Sequence, residues 1–225
     1  MRPLLPVRQP SIMTKATPFD EHATEYDSWF DENRAIYHAE LAAVRDMLPI
    51  GGQGVEIGVG TGRFAAPLGI ALGVEPSHGM AELARKRGME VLEGVAEALP
   101  LADGAFDFAL MVTVVCFLDD ISLAFREAHR ILKPQGSLIV GFIDRESELG
   151  QRYHRKKKQS SFYREATFYS VAELEAHLTR AGFGGFTYRQ PLFPGQGGDR
   201  KLEKGHGRGG FVVVRAIKIE EVRER

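Results

Sequence analysis

Glu56, Gly58, Gly60, Gly62 and Glu75 have types and spacings that can do chemistry together. Alternate glycines make a turn without side chains, so the backbone can touch a ligand and offer it amides. A carboxylate at the end of the following strand can accept hydrogen bonds from both hydroxyls of a ribose. The set points to a bound nucleoside; the bland alternative is a flexible strand–helix connection. Which nucleoside is left open. Gly60-x-Gly62-x-x-Ala65 fits the dinucleotide fingerprint, but Glu75 then falls 15 residues beyond the first glycine, against about 20 in that fingerprint. That register also gives Glu56 and Gly58 no purpose. The register Gly58-x-Gly60-x-Gly62 puts Arg63 where a dinucleotide fold wants its third glycine.

Residues that meet one ligand from two strands need a sheet to hold them. Val55 to Ile57 reads as a short buried strand ahead of the turn, a short helix runs from Arg63, and Ile70 to Val74 is a second strand. Residues 77–88 have helical periodicity and stop at Gly88; Met89 to Leu92 is the next strand. Phe106 to Val112 is apolar on both faces, as a central parallel strand should be. Ser122 to Leu132 is helical, and KPQG turns into the strand SLIVGFI. Ser170-x-x-Glu173 predicts a capping box on a helix that stops at Gly182. Phe186 to Pro191 and Phe211 to Ile217 are the last strands, separated by a Gly- and Lys-rich loop over 194–210. This alternation predicts an α/β fold, a doubly wound, mostly parallel sheet of seven strands with an antiparallel C-terminal pair. Ahead of it, Phe19, Tyr26, Trp29, Phe30, Tyr37, Leu41, Val44 and Leu48 predict a helix over about 20–48. Residues 1–17, broken by Pro3, Pro6 and Pro10, read as a disordered tail, and 18–225 as a single domain.

E-x-G-x-G-x-G, from Glu56 to Gly62, resembles the first motif of the class I S-adenosylmethionine-dependent methyltransferases. GVEPS, which holds Glu75, resembles their second. GVAEALPLADGAFDFALM, from Gly94 to Met111, is similar to their third and fourth, in the small-molecule subgroup (methyltransferase type 11) related to ubiquinone-biosynthesis enzymes. The resemblance covers about residues 20 to 218. It implies a Rossmann-like fold, S-adenosylmethionine as cofactor and methyl transfer. It also implies that Glu56 lies near the cofactor's methionine ammonium, where a carboxylate has Coulombic reason to be. The alternative for Glu56 is a strand-end acid bonded to local amides. Gly58, Gly60 and Gly62 would let the chain pass close to the ligand, and Glu75 would hold the ribose. Pro76 and Met80 would pack near the adenine, although Met80 equally suits a helix core. Relatives often carry Asp after the glycine that opens the third motif; Val95 stands there in this chain. The adenine amino group is then left to backbone near Ala96, to Glu97 or to water, unless Glu97 caps the turn before Leu99-Pro100. Thr113 would lie near the methionine end.

Methyl transfer from a sulfonium is an in-line displacement with an activated leaving group, so positioning and water exclusion are much of the task. A strong base is needed only if the nucleophile arrives protonated. Cys116 and Phe117 stand where relatives often carry a His-His pair, and Cys116 also reads as a small buried hydrophobe. Tyr26, Trp29 and Phe30 lie on the N-terminal helix, which often forms a lid in this family. Their rings can face a sulfonium or an amine, or can pack as core. Asp144 ends the fifth strand, where it can orient a polar substrate or cap the next helix. His154, Tyr163, Tyr169 and His206 lie in segments that can border a substrate pocket.

A net charge of −1 gives no general affinity for nucleic acid or anionic membrane. RKKK at 155–158 reads as a solvated helix face. A single cysteine makes no intrachain disulfide and no zinc site, and suits a reducing cytoplasm. No apolar run reaches the roughly 18–20 residues of a membrane span. The expected partner is a small-molecule methyl acceptor, with no metal and the oligomeric state left open. Two rivals stand beside this reading. Tyr153-x-x-x-Lys157 has the spacing of a short-chain NAD(P)-dependent oxidoreductase, though that family's glycine turn and Asn-Asn-Ala-Gly motif are absent. The other rival is a non-catalytic S-adenosylmethionine-binding protein.

Overall fold

Along the strand β4 (Phe106–Val112), Ala109 and Met111 pack into one apolar layer while Phe108, Leu110 and Val112 pack into another. A strand buried on both faces needs a cover on each. The structure is a computed structural model and describes residues 17–193 and 202–219. Helices α1 (Thr17–Glu21), α2 (Ala23–Glu32) and α3 (Arg34–Met47) precede the strand β1 (Gly54–Ile57). Then follow α4 (Ala65–Leu68), β2 (Leu72–Glu75), α5 (His78–Lys86), β3 (Glu90–Glu93), β4 and α6 (Ile121–Ile131). The chain continues through β5 (Leu132–Ile143), α7 (Glu148–Lys156), α8 (Val171–Arg180), β6 (Phe183–Gln190), β7 (Glu203–Lys204) and β8 (Phe211–Lys218).

The strand order is β3-β2-β1-β4-β5-β8-β6-β7. β3, β2, β1, β4 and β5 pair in parallel, and β8 enters antiparallel between β5 and β6. This is the Rossmann-like arrangement with the antiparallel C-terminal pair. Strand order reverses between β1 and β4, so the carboxyl ends of β1, β2 and β4 open one crevice. α6 and α8 cover one layer; α2, α3 and α5 cover the other. Ile121, Ala124, Phe125, Ala128 and Ile131 recur at helical spacing on α6 and are all buried. The Asp120 side chain caps that helix by accepting from the Leu123 N–H. Ser170 and Glu173 form the expected capping box on α8.

Several expectations are corrected. Among the described residues the sheet has eight strands, because the two-residue β7 adds to the edge of β6. The N-terminal helix is divided into α1, α2 and α3. Asn33 closes α2 by donating both its backbone N–H and its side-chain amide to the Trp29 carbonyl. KPQG is a bulge inside β5, with Gln135 at φ 61 and the β4 register shifting between Phe106 and Phe108. The expected tail lies outside the described residues apart from Thr17, which opens α1, and so do residues 194–201 of the long loop.

Candidate active site

β1 ends at Ile57 and the chain turns across the end of β2, with the Gly58 and Val59 amides donating to the Val74 carbonyl at 2.8 and 3.0 Å. The glycines after it answer different needs. Gly60 has φ +53, and a Cβ there would meet no atom within 4 Å. It faces open space at the cavity. Gly62 has φ +82, and a Cβ would sit 2.9 Å from the Met89 sulfur and 3.3 Å from the Ala84 Cα. Its bareness lets the turn lie against α5.

Glu75 ends β2 and is buried. One oxygen accepts the Gly60 N–H at 2.8 Å and the other the Ser77 N–H at 3.0 Å. Burial pushes its carboxyl up to about 7, against the pull of those two donors. Glu56 is 2 % exposed and does not line the cavity. It accepts the Ala65 N–H, while its Oε2 has no hydrogen-bond partner among the described residues. Burial, with the Glu75 charge adding to it, holds this carboxyl well above its usual range.

A cavity of about 130 Å³ opens over the turn. Tyr26, Gly58, Gly60, Glu75 and Pro76 line it. Met80, Ala96, Glu97, Thr113 and Phe117 complete the set of predicted residues in its wall; Gly62 stays outside. Glu97 Oε1 accepts the Asp119 and Asp120 amides at 2.8 and 3.2 Å, so it fixes the approach to α6. The turn before Leu99-Pro100 is held instead by Glu127, which accepts the Leu99 N–H at 2.9 Å. Thr113 follows β4 at φ 54, a backbone region costly for a β-branched residue. Its side chain is within hydrogen-bonding reach of the Tyr26 phenol, which burial pushes upward.

Thr113 also lines a second, smaller cavity with Cys116, Phe142, Tyr163 and Tyr169. Cys116 is buried and its thiol points at the Thr113 carbonyl at 3.5 Å. Asp144 lines neither cavity. It accepts amides of Glu146 and Val171, and Ser147 caps α7 in its place. His206 packs edge-on against Tyr188. Lys157 lies just past the end of α7 and donates to the Ala166 carbonyl at 2.8 Å. Burial, then the Glu40 charge, pushes the Tyr153 phenol up, opposite to what an oxidoreductase acid needs. Neither residue lines the 130 Å³ cavity.

Sequence reasoning missed how α1 and α2 are fastened. Phe19 of α1 lines the cavity and meets Phe117 edge-on at 4.9 Å. Asp20 accepts the Ser77 hydroxyl at 2.7 Å and the Gly79 N–H at 3.2 Å. On α2, Asp27 takes a two-pronged ion pair from Arg63 at 2.9 and 2.8 Å, and another from Arg87 at 3.0 and 2.7 Å. Arg63, the misfit in the dinucleotide register, anchors α2. Its position was the available signal; its partner, in a helix far upstream, was not.

The methyltransferase-domain family matches residues 55–140. A protein of Methanocaldococcus jannaschii is 45% identical over 89% of this chain and 98% of its own. A Mycobacterium tuberculosis protein is 36% identical over 95% of this chain and 78% of its own. The crystal structure of a Thermotoga maritima S-adenosylmethionine-dependent methyltransferase, described as a possible histamine N-methyltransferase, superposes with a TM-score of 0.86. It is 51% identical, covering 90% of this chain and 99% of that one. The chain belongs to the class I S-adenosylmethionine-dependent methyltransferases. The residues present fit that cofactor. Glu75 keeps lone pairs for a ribose, the open side of Gly60 admits a ligand against the backbone, and Glu56 holds one buried oxygen ready for a donor.

Proposed function

We propose that this enzyme methylates a small molecule that enters beside Thr113. The observation that carries the reading is the shared wall: Thr113 lines both the cofactor cavity and the second cavity. When bound, S-adenosylmethionine supplies a methyl group on a sulfonium, which an acceptor lone pair takes in line as the carbon–sulfur bond breaks. The chain does the rest. Glu75, fixed by two amides, receives the ribose hydroxyls. Glu56 receives the methionine ammonium, directly or through water. Pro76 and Met80 bound the adenine, whose amino group meets backbone at Ala96 and the remaining oxygen of Glu97. Phe19, Tyr26 and Phe117 keep water from the transfer point. Gly58 and Gly60 keep the turn thin enough for this approach.

The net charge of −1 favours a small acceptor over a nucleic acid, and the single cysteine favours the cytoplasm. The description of the Thermotoga maritima protein as a possible histamine N-methyltransferase makes nitrogen the first acceptor atom to test.

Calorimetric titration with S-adenosylhomocysteine, with NADH as control, tests the cofactor roles. Glu75→Ala removes the acceptor of two hydroxyls and should weaken binding about ten- to a hundredfold, since hydrogen bonds to a charged group contribute about 1.5–3 kcal/mol. Unchanged affinity would sink the assignment. An acceptor screen read by S-adenosylhomocysteine formation tests catalysis; binding without turnover on any acceptor would leave a cofactor-binding protein.

A further inference from the structure

From Arg152 to Arg164 the chain carries six arginines and lysines and no carboxylate, although its net charge is −1. Two lysines of the RKKK run, Lys156 and Lys157, line a cavity of about 150 Å³ with Arg152, Tyr153, Ser160 and Tyr163. Arg152 and Lys156 stand four residues apart on α7, so they share one face of that helix. Arg152 has a long pair with Glu148 at 3.5 Å, and the Lys156 side chain makes no hydrogen bond or ion pair among the described residues. Lys157 gives one proton to the Ala166 carbonyl at 2.8 Å and keeps its other two. Neither the Tyr153 nor the Tyr163 hydroxyl has a hydrogen-bond partner among the described residues. Burial pushes both phenols up, so they stay protonated and can donate. Cations and phenol donors gathered in one concave wall suit an oxyanion. The cavity also leads inward. Tyr163 lines both it and the second cavity, as Thr113 lines both the second cavity and the cofactor cavity. Two residues thus join the basic surface to the transfer point. The joint is narrow, about 10 Å³ at the second cavity, which is room for about one water-sized group.

We propose that this cavity holds the acidic end of the methyl acceptor, a small carboxylate or phosphate gripped by Arg152, Lys156 and the two phenols, while its slender other end reaches Thr113 past Tyr163. This rests on the methyl transfer beside Thr113 argued above. On a plain solvated face the lysines would count alike wherever they stand. In an oxyanion site they do not: Lys156 is in the cavity wall, and Lys158, two residues on, is outside it.

The test uses the full chain saturated with S-adenosylhomocysteine. It is titrated by calorimetry with 4-aminobutyrate and 4-hydroxyphenylacetate, each against its amide, and with phenyl phosphate against phenol. At least one acid should bind about tenfold or more tighter than its counterpart, and which acid does so tells carboxylate from phosphate. Lys156→Gln should remove most of that preference and Arg152→Gln part of it. Lys158→Gln, which removes the same charge outside the cavity, should keep it. S-adenosylhomocysteine affinity should stay unchanged in all three variants, which shows that they are folded. With S-adenosylmethionine supplied instead, acids bearing an amine or hydroxyl should be methylated faster than their amides. If no acid is preferred, if Lys158→Gln costs as much as Lys156→Gln, or if the amides are methylated as fast, the proposal is overturned. If the wild type does not bind S-adenosylhomocysteine, the methyl-transfer site itself fails and this inference with it.

Discussion

Gly60 and Gly62 share a residue type and a positive φ, but only Gly60 faces the cavity. Alanine at either position meets the left-handed backbone cost of about 1–2 kcal/mol. At Gly60 the new methyl group stands in open space at the cavity, so stability should fall by about that amount while S-adenosylhomocysteine affinity drops. At Gly62 the methyl group also strikes Met89 and Ala84, adding about 1–3 kcal/mol of overpacking. Chemical denaturation and ligand titration of both variants read the two effects. Gly62→Ala should lose more stability, and a reversed order would show that the turn lies otherwise. At this scale nine of the residues proposed from sequence for the cofactor line one cavity, and acid, glycine and acid stood out because they are types with few other uses together. A glutamate within a helical repeat of apolar residues reads as solvent-facing, so the burial of Glu40 on α3 shows only in the tertiary structure.

The elements around the cavity are joined by charge. Burial pushes the Asp27 carboxyl up, but hydrogen bonds from Arg63, Thr61 and Arg87 outweigh it and hold the group down to about 2. An unfolded aspartate titrates near about 3.9. The pKa is depressed in the folded state, so the latch stabilises above pH about 4 and this contribution is lost as pH falls through about 2. Solvent screening reduces the contribution to about 1 kcal/mol. Asp27→Asn should therefore be less stable than wild type at neutral pH by about that much, and the gap should close in acid. A gap that stays constant from pH 6 to pH 2 in urea melts would refute the latch. The strands were legible because apolar runs such as Phe106 to Val112 have few alternatives as elements. The helix breaks were not: Asn33 ends α2 by bonding back to Trp29, which a periodic pattern running through it conceals. The bulge at Gln135 was read as a turn for the same reason, since Pro and Gly signal a bend but not whether pairing resumes across it.

For the molecule as a whole, Phe19 of α1, Tyr26 of α2, the glycine turn and the end of β2 line one cavity. A ligand that binds only the folded chain adds about 2.7 kcal/mol at a hundredfold excess over its Kd. For a chain of this size that raises the melting temperature by about 5–10 °C. Scanning calorimetry with S-adenosylhomocysteine should show a single transition moving by that amount; two transitions would mean that α1 and α2 melt apart from the sheet. Arg63 follows Gly62 directly, and Asp20 bonds beside Glu75. Both fastenings of α1 and α2 therefore grip the loops that carry Gly62 and Glu75, the ones proposed to hold the nucleoside. With the nucleoside held there, the spent cofactor leaves only after they let go, so its escape should set the pace of turnover. A rapid first cycle should give a burst of methylated product equal to the enzyme present, followed by a slower steady rate. Added salt, by loosening the fastenings, should quicken that steady rate.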